Sequence, residues 1–570
     1  MARLSGYGLI ALALLVTLGM NWYTLVRVAR ARTSVPWWDQ WVVVQELAQH
    51  ARGAPLWPTL WSLYYGHRMV IPRLLFLADA RWFSLASLTW LTLLFQFVHI
   101  ALLMALAWLL LGRRPPAPFM IAVLAILNLM LSPLQMENFV WGMQTMFPLV
   151  FVAATGAFLC LSLAGDTGRG ALLALSVACG IVSSYTMPNG ILVWPVLAAQ
   201  AIYLKRKPGV VMAFALAGAV AIGSYLRHYT RPVEFGMGVG GMLRHPVDAA
   251  GLLGCVLGNP LGFSLRGDAL AGIVVLALTG YLLVRALRTP VEKRRWLSAL
   301  ASILVFSFLG ALSLVAGRLT PKILRAGSND YLGGQYFTLI CVFWAGTALL
   351  ALHTIARRKP RVPWICFYGV LFVWVMFSSV PRQLVAADDW ADFFLGVDAA
   401  GSAILLDAPD EQLLSRLWPN PAERGERIAF LRQHRLAMFH EPRAGWPGQR
   451  VADLFPAPAG LCSGAIERTT SLDGSSWRVQ GWAWDTGRSK PPDDILFADL
   501  AGSVIGMARG GLRHGYIPGL LIEPQPAPPP HARFPRGEWL GYVRRSGDAA
   551  WAQVSLYGVF RSEGRVCTIR

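Results

Sequence analysis

Long apolar segments separated by short polar ones dominate the first two thirds of the chain. About 20 consecutive apolar residues cross the hydrocarbon core of a bilayer as one helix. The pattern predicts a polytopic transmembrane helix bundle of about 11 spans in residues 1–380, with a long first loop at 27–84. The predicted spans centre on residues 9–26, 88–111, 118–132, 146–164, 171–187, 190–204, 208–226, 268–286, 297–316, 335–353 and 363–380.

The pattern changes after Ser378. Residues 381–455 carry apolar positions at mixed three- and four-residue spacing, which is typical of short helices. Later the spacing becomes two, as in the segment from Trp477 to Trp484, and such alternation indicates strands. We expect a mainly α protein whose C-terminal α/β region has a helical connector at 381–455 and a small antiparallel β-sandwich at 456–570.

Composition agrees with a membrane protein, since 55% of the 570 residues are hydrophobic and only 14% are charged. Residues 1–380 contain 30 Lys and Arg against 10 Asp and Glu, so the whole net charge of +20 lies in the apolar part. Those cations are spread over short loops and form no basic patch beside aromatic residues. We therefore predict a lipid bilayer as partner and no nucleic acid.

The cations also predict the orientation. Fifteen of them lie in short connections, such as Arg113-Arg114 and Lys205-Arg206-Lys207, and the positive-inside rule makes these connections cytoplasmic. The N-terminus is then cytoplasmic and residues 381–570 lie outside, as expected for a multi-pass protein of a bacterial inner membrane. The alternative for the first segment is a signal peptide cleaved after Ala29-Arg30-Ala31.

Seven cysteines are present, and two of them, Cys462 and Cys567, belong to the predicted sandwich. They fall in its candidate first and last strands, where chain ends often meet, and the outer compartment is oxidising. We predict a disulfide between them, the alternative being two free thiols. The remaining cysteines lie in or beside apolar segments without metal-ligand spacing, so no metal site is predicted from them.

Candidate chemistry comes from polar residues in the external segments. Asp39 lies among three tryptophans in Pro36-Trp-Trp-Asp-Gln-Trp41, which is either an interfacial aromatic belt or a functional acid. His67, Arg68 and Arg73 follow in the same loop, as candidate phosphate ligands or as snorkelling anchors. A further set of polar residues lies in two short external segments: Glu137, Asn138, Gln144, Arg318 and Lys322.

One family resemblance covers most of residues 1–350. The order of a first span, a long external loop with an early Asp, further spans and an external C-terminal domain resembles the GT-C superfamily of polyprenyl-phosphate-sugar-dependent glycosyltransferases. Several strings resemble a set that recurs in bacterial multi-span proteins of that type: His67-Arg68-x3-Pro72-Arg73, Trp141-Gly-x-Gln144, Asn189-Gly190-x3-Trp194-Pro195 and Gly317-Arg318. Two features depart from it, because the first loop has one acid instead of a pair and Gly-Gly-Gln precedes Tyr336 instead of an Arg-Tyr pair.

The resemblance implies a glycosyltransferase with Asp39 as catalytic base. The implied donor is a polyprenyl-phosphate-linked sugar, the acceptor is a glycan, lipid or protein of the cell envelope, and the other candidates would bind the substrate. No cofactor is predicted, and the resemblance leaves a divalent metal open. Two other classes remain: a lipid-linked glycan flippase or transporter, and an O-antigen-type polymerase or ligase, neither of which needs the early Asp.

Overall fold

The computed structural model describes residues 2–112, 116–165, 170–230, 236–261, 265–288, 294–320, 334–356, 362–456, 460–521, 534–544 and 551–570. The chain forms two compact units. The first, called the helical unit, contains Met1–Arg27, Leu56–Leu75 and Thr89–Ala387. The second, called the mixed unit, contains Val28–Pro55, Phe76–Leu88 and Asp388–Arg570.

Helices account for nearly all of the described part of the helical unit. In chain order, and including α2 of the mixed unit, they are α1 Ala2–Ala31, α2 Gln40–Ala51, α3 Leu56–Trp61, α4 Val70–Phe83, α5 Leu88–Leu111, α6 Pro116–Met130, α7 Met136–Val140, α8 Met146–Leu163, α9 Gly170–Ser184, α10 Val193–Tyr203, α11 Pro208–Leu226, α12 Gly238–Arg244, α13 Pro246–Gly258, α14 Leu265–Leu287, α15 Arg294–Arg318, α16 Phe337–Ala356 and α17 Val362–Leu405.

Among the described residues, eight helical segments are long and apolar enough to cross a membrane. They are Ile10–Ala31, Leu88–Leu111, Ala117–Val140, Gly142–Leu163, Pro208–Leu226, Gly267–Leu287, Arg294–Arg318 and Gly334–Ala356. All eight coincide with predicted spans. The spans predicted at 171–187 and 190–204 correspond to the shorter helices α9 and α10. The eleventh lies at the start of α17, where the side chains of 362–379 are outside the described residues.

The mixed unit gathers segments that are far apart in sequence. Its C-terminal part contains α18 Glu411–Leu417, α19 Pro421–Gln433, α20 Val451–Leu454 and α21 Tyr516–Leu521 besides seven strands. Val28–Pro55 and Asp388–Arg570 thus belong to one compact unit, although more than 300 residues separate them in the sequence.

The predicted domain boundaries differ from this division. The expected boundary at 380/381 falls inside α17, a single helix that contains Pro381 and continues to Leu405. The unit boundary lies at Ala387/Asp388, and the connector 381–455 shares one unit with the β region 456–570. The connector and the β region also share this unit with parts of the first loop. Thr33 of that loop bonds Asp398, and Trp37 packs on Phe393.

The predicted β-sandwich is wrong, because the strands close into a barrel. Seven strands follow the order β1-β2-β5-β4-β3-β6-β7, and β1 pairs with β7 to complete the ring. That last pair is parallel, whereas the other pairs are antiparallel. The strands are β1 Gly460–Ser471, β2 Ser476–Trp484, β3 Asp494–Ala498, β4 Val504–Leu512, β5 Glu538–Arg544, β6 Ser555–Phe560 and β7 Arg565–Ile569.

The disulfide predicted between Cys462 and Cys567 is present at the closure of the barrel. The Cα atoms of the two residues are 5.6 Å apart on the paired strands β1 and β7. Both side chains belong to the barrel core, which also contains Phe497, Trp539 and Val543. In the chain-entropy description, a cross-link over 105 residues stabilises the folded barrel by about 4 to 5 kcal/mol.

A buried network of charges surrounds Asp398 of α17. Its carboxylate pairs with Arg443 at 3.1 Å and with Arg509 of β4 at 3.1 Å, and Arg561 lies at 3.8 Å. Thr33 of the first loop donates a 2.8 Å hydrogen bond to the same carboxylate. Burial opposes the charged form, but the three guanidinium groups hold the pKa of Asp398 well below its usual value. The carboxylate therefore connects four segments of the mixed unit.

We predict that Asp398→Asn destabilises the mixed unit by about 3 kcal/mol, because Arg443 and Arg509 lose one of their carboxylate partners and keep only Glu441 and Asp494, respectively. Thermal unfolding of the full-length protein at neutral pH, followed by tryptophan fluorescence, measures the effect. Asp407→Asn is the control, since Asp407 pairs with Arg432 where both side chains are about half exposed. Equal melting temperatures for the two variants would contradict the prediction.

Candidate functional site

The polar segment between the third and fourth predicted spans folds as a chain of short helical turns. Ser132 accepts a hydrogen bond from the backbone N–H of Leu134 and begins a turn at Pro133–Gln135. Helix α7 and a second turn at Gly142–Thr145 follow before α8 begins. All residues from 132 to 145 are buried, so the predicted candidates Glu137, Asn138 and Gln144 lie inside the helical unit.

Gln335 brings these three candidates together. The Asn138 amide donates to the Gln335 backbone carbonyl at 3.1 Å, and the Gln144 amide donates to the Gln335 side-chain oxygen at 3.3 Å. Glu137 accepts hydrogen bonds from the backbone of Gly334 and Gln335. Thr338, which accepts from Asn138 at 2.9 Å, extends the set that we call the Gln335 cluster: Glu137, Asn138, Gln144, Gln335 and Thr338.

Three acceptor atoms of the Gln335 cluster have no hydrogen-bond partner among the described residues. They are Glu137 Oε2, Asn138 Oδ1 and Gln144 Oε1, and all three are buried. The orientation of the Asn138 amide is fixed, because its nitrogen faces a backbone carbonyl that only accepts. A buried polar group without a partner costs about 1 to 3 kcal/mol. The cluster therefore has the chemistry to accept hydrogen bonds from hydroxyl groups.

Arg318 and Tyr336 form a neighbouring pair. Arg318 is the last residue of α15, and its Nε donates to the Tyr336 hydroxyl at 3.1 Å. Its Nη2 donates to the same oxygen. Tyr336 follows Gln335 directly, so the cationic group and the Gln335 cluster belong to one region of the helical unit. The two residues are 18 positions apart in the sequence.

His67 is placed by a tight turn. Tyr64 and His67 exchange backbone hydrogen bonds of 2.9 and 2.8 Å, and the central residues Tyr65 and Gly66 have φ values of 44° and 72°. Burial, together with the nearby charge of Arg318, lowers the pKa of His67 to about 4. The imidazole is therefore neutral at pH 7.

Arg68 and Arg73 use their donors on backbone carbonyls. Arg68 Nε donates to the Tyr225 carbonyl at 2.6 Å, and its other nitrogens donate to the carbonyls of Trp61 and Arg227. Arg73 donates to the Ser62 carbonyl at 2.7 Å. Arg68 thereby connects α3 to the C-terminal end of α11, and Arg73 connects α4 to the residue that follows α3. A phosphate ligand would have to compete with these carbonyls for the same donors.

Asp39 lies in the mixed unit, whereas the other described candidates lie in the helical unit. It occupies the N-cap position of α2 and is partly buried, without a side-chain capping hydrogen bond. The tryptophans around it pack on protein. Trp37 lies 4.9 Å from Phe393, Trp38 lies 6.5 Å from Trp418 between ring centroids, and Trp41 is fully buried.

Some positions of the site escaped the sequence analysis, and one predicted position is outside the described part. Gln335 and Thr338 were not predicted, although a glutamine beside an apolar span was a usable signal. Lys322 lies outside the described residues, as do Arg113-Arg114. Within the described ranges, no group of three or more His, Cys, Asp or Glu side chains is arranged to hold a metal ion.

Comparisons with known proteins gave one structural match of note. No protein-family model and no curated protein matches the sequence. The oligosaccharyltransferase of Archaeoglobus fulgidus in its apo form is similar over 72% of this chain and 60% of its own length, with 12% identity and a TM-score of 0.34. At this level of similarity, no residue role transfers between the two chains.

We predict that His67 makes the helical unit less stable in acid. Its pKa is about 4 in the folded protein and about 6.5 in an unfolded chain, so only the unfolded state gains a proton between these values. Stability is full above pH 6.5 and falls by about 2 kcal/mol between pH 7 and pH 5.

Thermal unfolding of His67→Asn protein at pH 7 and pH 5 tests this, since the variant has no imidazole to protonate. It should lose less stability than the wild type over this interval. His228→Asn is the control, because His228 is exposed in the same unit. The prediction fails if His67→Asn keeps the pH response of the wild type.

Proposed function

We propose that this protein is a membrane glycosyltransferase. It moves a sugar from a polyprenyl-phosphate donor to a glycan, lipid or protein acceptor at the outer face of a bacterial inner membrane. The observation that supports the proposal is the adjacency of a cationic group, Arg318 with Tyr336, to a buried cluster of unsatisfied hydrogen-bond acceptors around Gln335. A sugar phosphate carries both kinds of complementary group.

The two groups would divide the donor between them. Arg318 would bind the phosphate, because guanidinium is charged at all relevant pH values and its donors match phosphate oxygens. Glu137, Asn138 and Gln144 would accept hydrogen bonds from the sugar hydroxyls. Phosphate has almost only acceptor oxygens, so it is a poor partner for these three acceptors. The donor would therefore lie with its phosphate at Arg318 and its sugar at the Gln335 cluster.

The reaction requires one proton transfer and one displacement. Asp39 would take the proton of an acceptor hydroxyl, whose oxygen then bonds to the anomeric carbon of the donor sugar. The bond between that carbon and the phosphate oxygen breaks, and the polyprenyl phosphate leaves with the electron pair. Arg318 would stabilise the charge that develops on this leaving group. A single displacement inverts the anomeric configuration.

We predict that Asp39→Asn lowers the transfer rate by about 10² to 10⁴-fold, the usual range for loss of a general base. Because the Asp39 side chain makes no capping hydrogen bond, the variant should keep the start of α2. The assay follows sugar transfer from a radiolabelled polyprenyl-phosphate donor in membranes. Glu46→Gln removes a charge from the same helix and should have little effect. Near wild-type transfer by Asp39→Asn would refute the base role and favour the interfacial aromatic belt for Asp39.

A second prediction concerns donor binding. Arg318→Gln should raise the KM for the lipid donor by about tenfold or more, because one charge-assisted phosphate contact is lost. Arg285→Gln is a matched control, since Arg285 is an exposed arginine of α14 that bonds Tyr281. An unchanged KM in Arg318→Gln would show that the phosphate binds elsewhere.

A further inference from the structure

The mixed unit contains a cavity that the proposed chemistry does not use. It has a volume of about 430 Å³, within the range of sites for small ligands. Its described wall comes from the end of α18 and from the segment between β4 and β5. The lining residues are Arg416, Arg513, His514, Gly515, Tyr516 and the Gly519-Leu520 pair.

Three basic side chains line this wall. Two are guanidinium groups and one is an imidazole, and no carboxylate lines the described part of the cavity. Arg513 is held by Asp389 at 2.7 Å and by Asp392 at 3.2 Å. His514 is held by Glu538 through its Nδ1 at 2.7 Å. These carboxylates orient the basic side chains without lining the cavity themselves.

Arg416 differs from most arginines of the mixed unit. Within the described residues it has no carboxylate partner, and its side chain is only partly exposed. Most other arginines of this unit do pair with an acid: Arg424, Arg427, Arg432, Arg443, Arg478, Arg488, Arg509, Arg513, Arg536, Arg561 and Arg565. Arg416 therefore differs from Arg513 of the same wall, which pairs with Asp389 and Asp392.

The remaining wall suits the body of a sugar. Tyr516 and Leu520 provide apolar surface, and Leu520 is fixed by packing on Gly396 of α17. The two lining glycines add no side chains, which keeps the wall open. Ligand sites usually combine such apolar surface with a few placed polar groups.

We propose that this cavity binds an anionic sugar unit, with Arg416 as the main contact to its carboxylate or phosphate. Guanidinium binds both anions through paired hydrogen bonds, so the two share one chemistry. The assignment of this sugar to the acceptor glycan rests on the proposed function. The binding of an anionic sugar in this cavity is independent of the proposed function.

The test titrates the purified full-length protein in detergent with D-glucuronate, D-glucose 6-phosphate, inorganic phosphate and D-glucose, using calorimetry. At least one anionic sugar should bind about tenfold or more tightly than glucose. The tighter of the two identifies carboxylate or phosphate as the recognised group. Equal binding of glucose, binding of no anionic sugar, or equally tight binding of inorganic phosphate would overturn the proposal.

Variants locate the site. Arg416→Gln should weaken binding of the preferred probe about tenfold, and Arg416→Lys should weaken it less, because charge remains without the paired donors. Arg450→Gln is the control, since Arg450 is exposed in the same unit and does not line the cavity. Unchanged binding in Arg416→Gln, or an equal loss in Arg450→Gln, would refute the assignment.

The same experiment separates this inference from the proposed function. Asp39→Asn protein should bind the probes as the wild type does, since Asp39 does not line the cavity. Probe binding in a protein that transfers no sugar would remove the proposed function and keep the anionic-sugar site. Sugar transfer by a protein that binds none of the probes would remove only the site.

Discussion

The mixed unit depends on the burial of one carboxylate, that of Asp398. Removing a carboxylate from water is costly, and here the cost is offset by guanidinium groups from three other segments and by the Thr33 hydroxyl. The arginines also pair with Glu441 and Asp494, so Asp398 belongs to a network of charges. This network connects the first loop, α17, the barrel and the turn that carries Arg443, and the barrel therefore has buried polar contacts besides its apolar core.

The parts of the fold that local sequence determines were predictable. Apolar runs identified the eight long helices because span length is a local property. At 171–187 and 190–204 the apolar pattern predicted two spans, and the structure has shorter helices there with a turn at Pro188–Leu192 between them. Alternation identified strands in the C-terminal region, yet sandwich and barrel share this period. Closure depends on the pairing of β1 with β7, which no local pattern records.

The candidate site was likewise predictable only where the signal is local in the sequence. The segment containing Glu137, Asn138 and Gln144 stood out because polar residues between apolar runs are rare, and the structure brings all three to Gln335. Gln335 itself was missed, because its role depends on contacts with residues nearly 200 positions earlier. The carbonyls that accept hydrogen bonds from Arg68 could not be predicted either, since two of them belong to the C-terminal end of α11.

The hydrogen bond between Thr33 and Asp398 spans 365 residues, and this has a consequence for biosynthesis. At about 5 to 20 residues per second, a ribosome needs roughly 20 to 70 s to reach the second partner. During that time the segment that contains Trp41 has been synthesised, but the C-terminal residues that pack against it have not. A nascent chain of this protein therefore exposes the apolar surface of this segment until the residues beyond Asp398 have been synthesised.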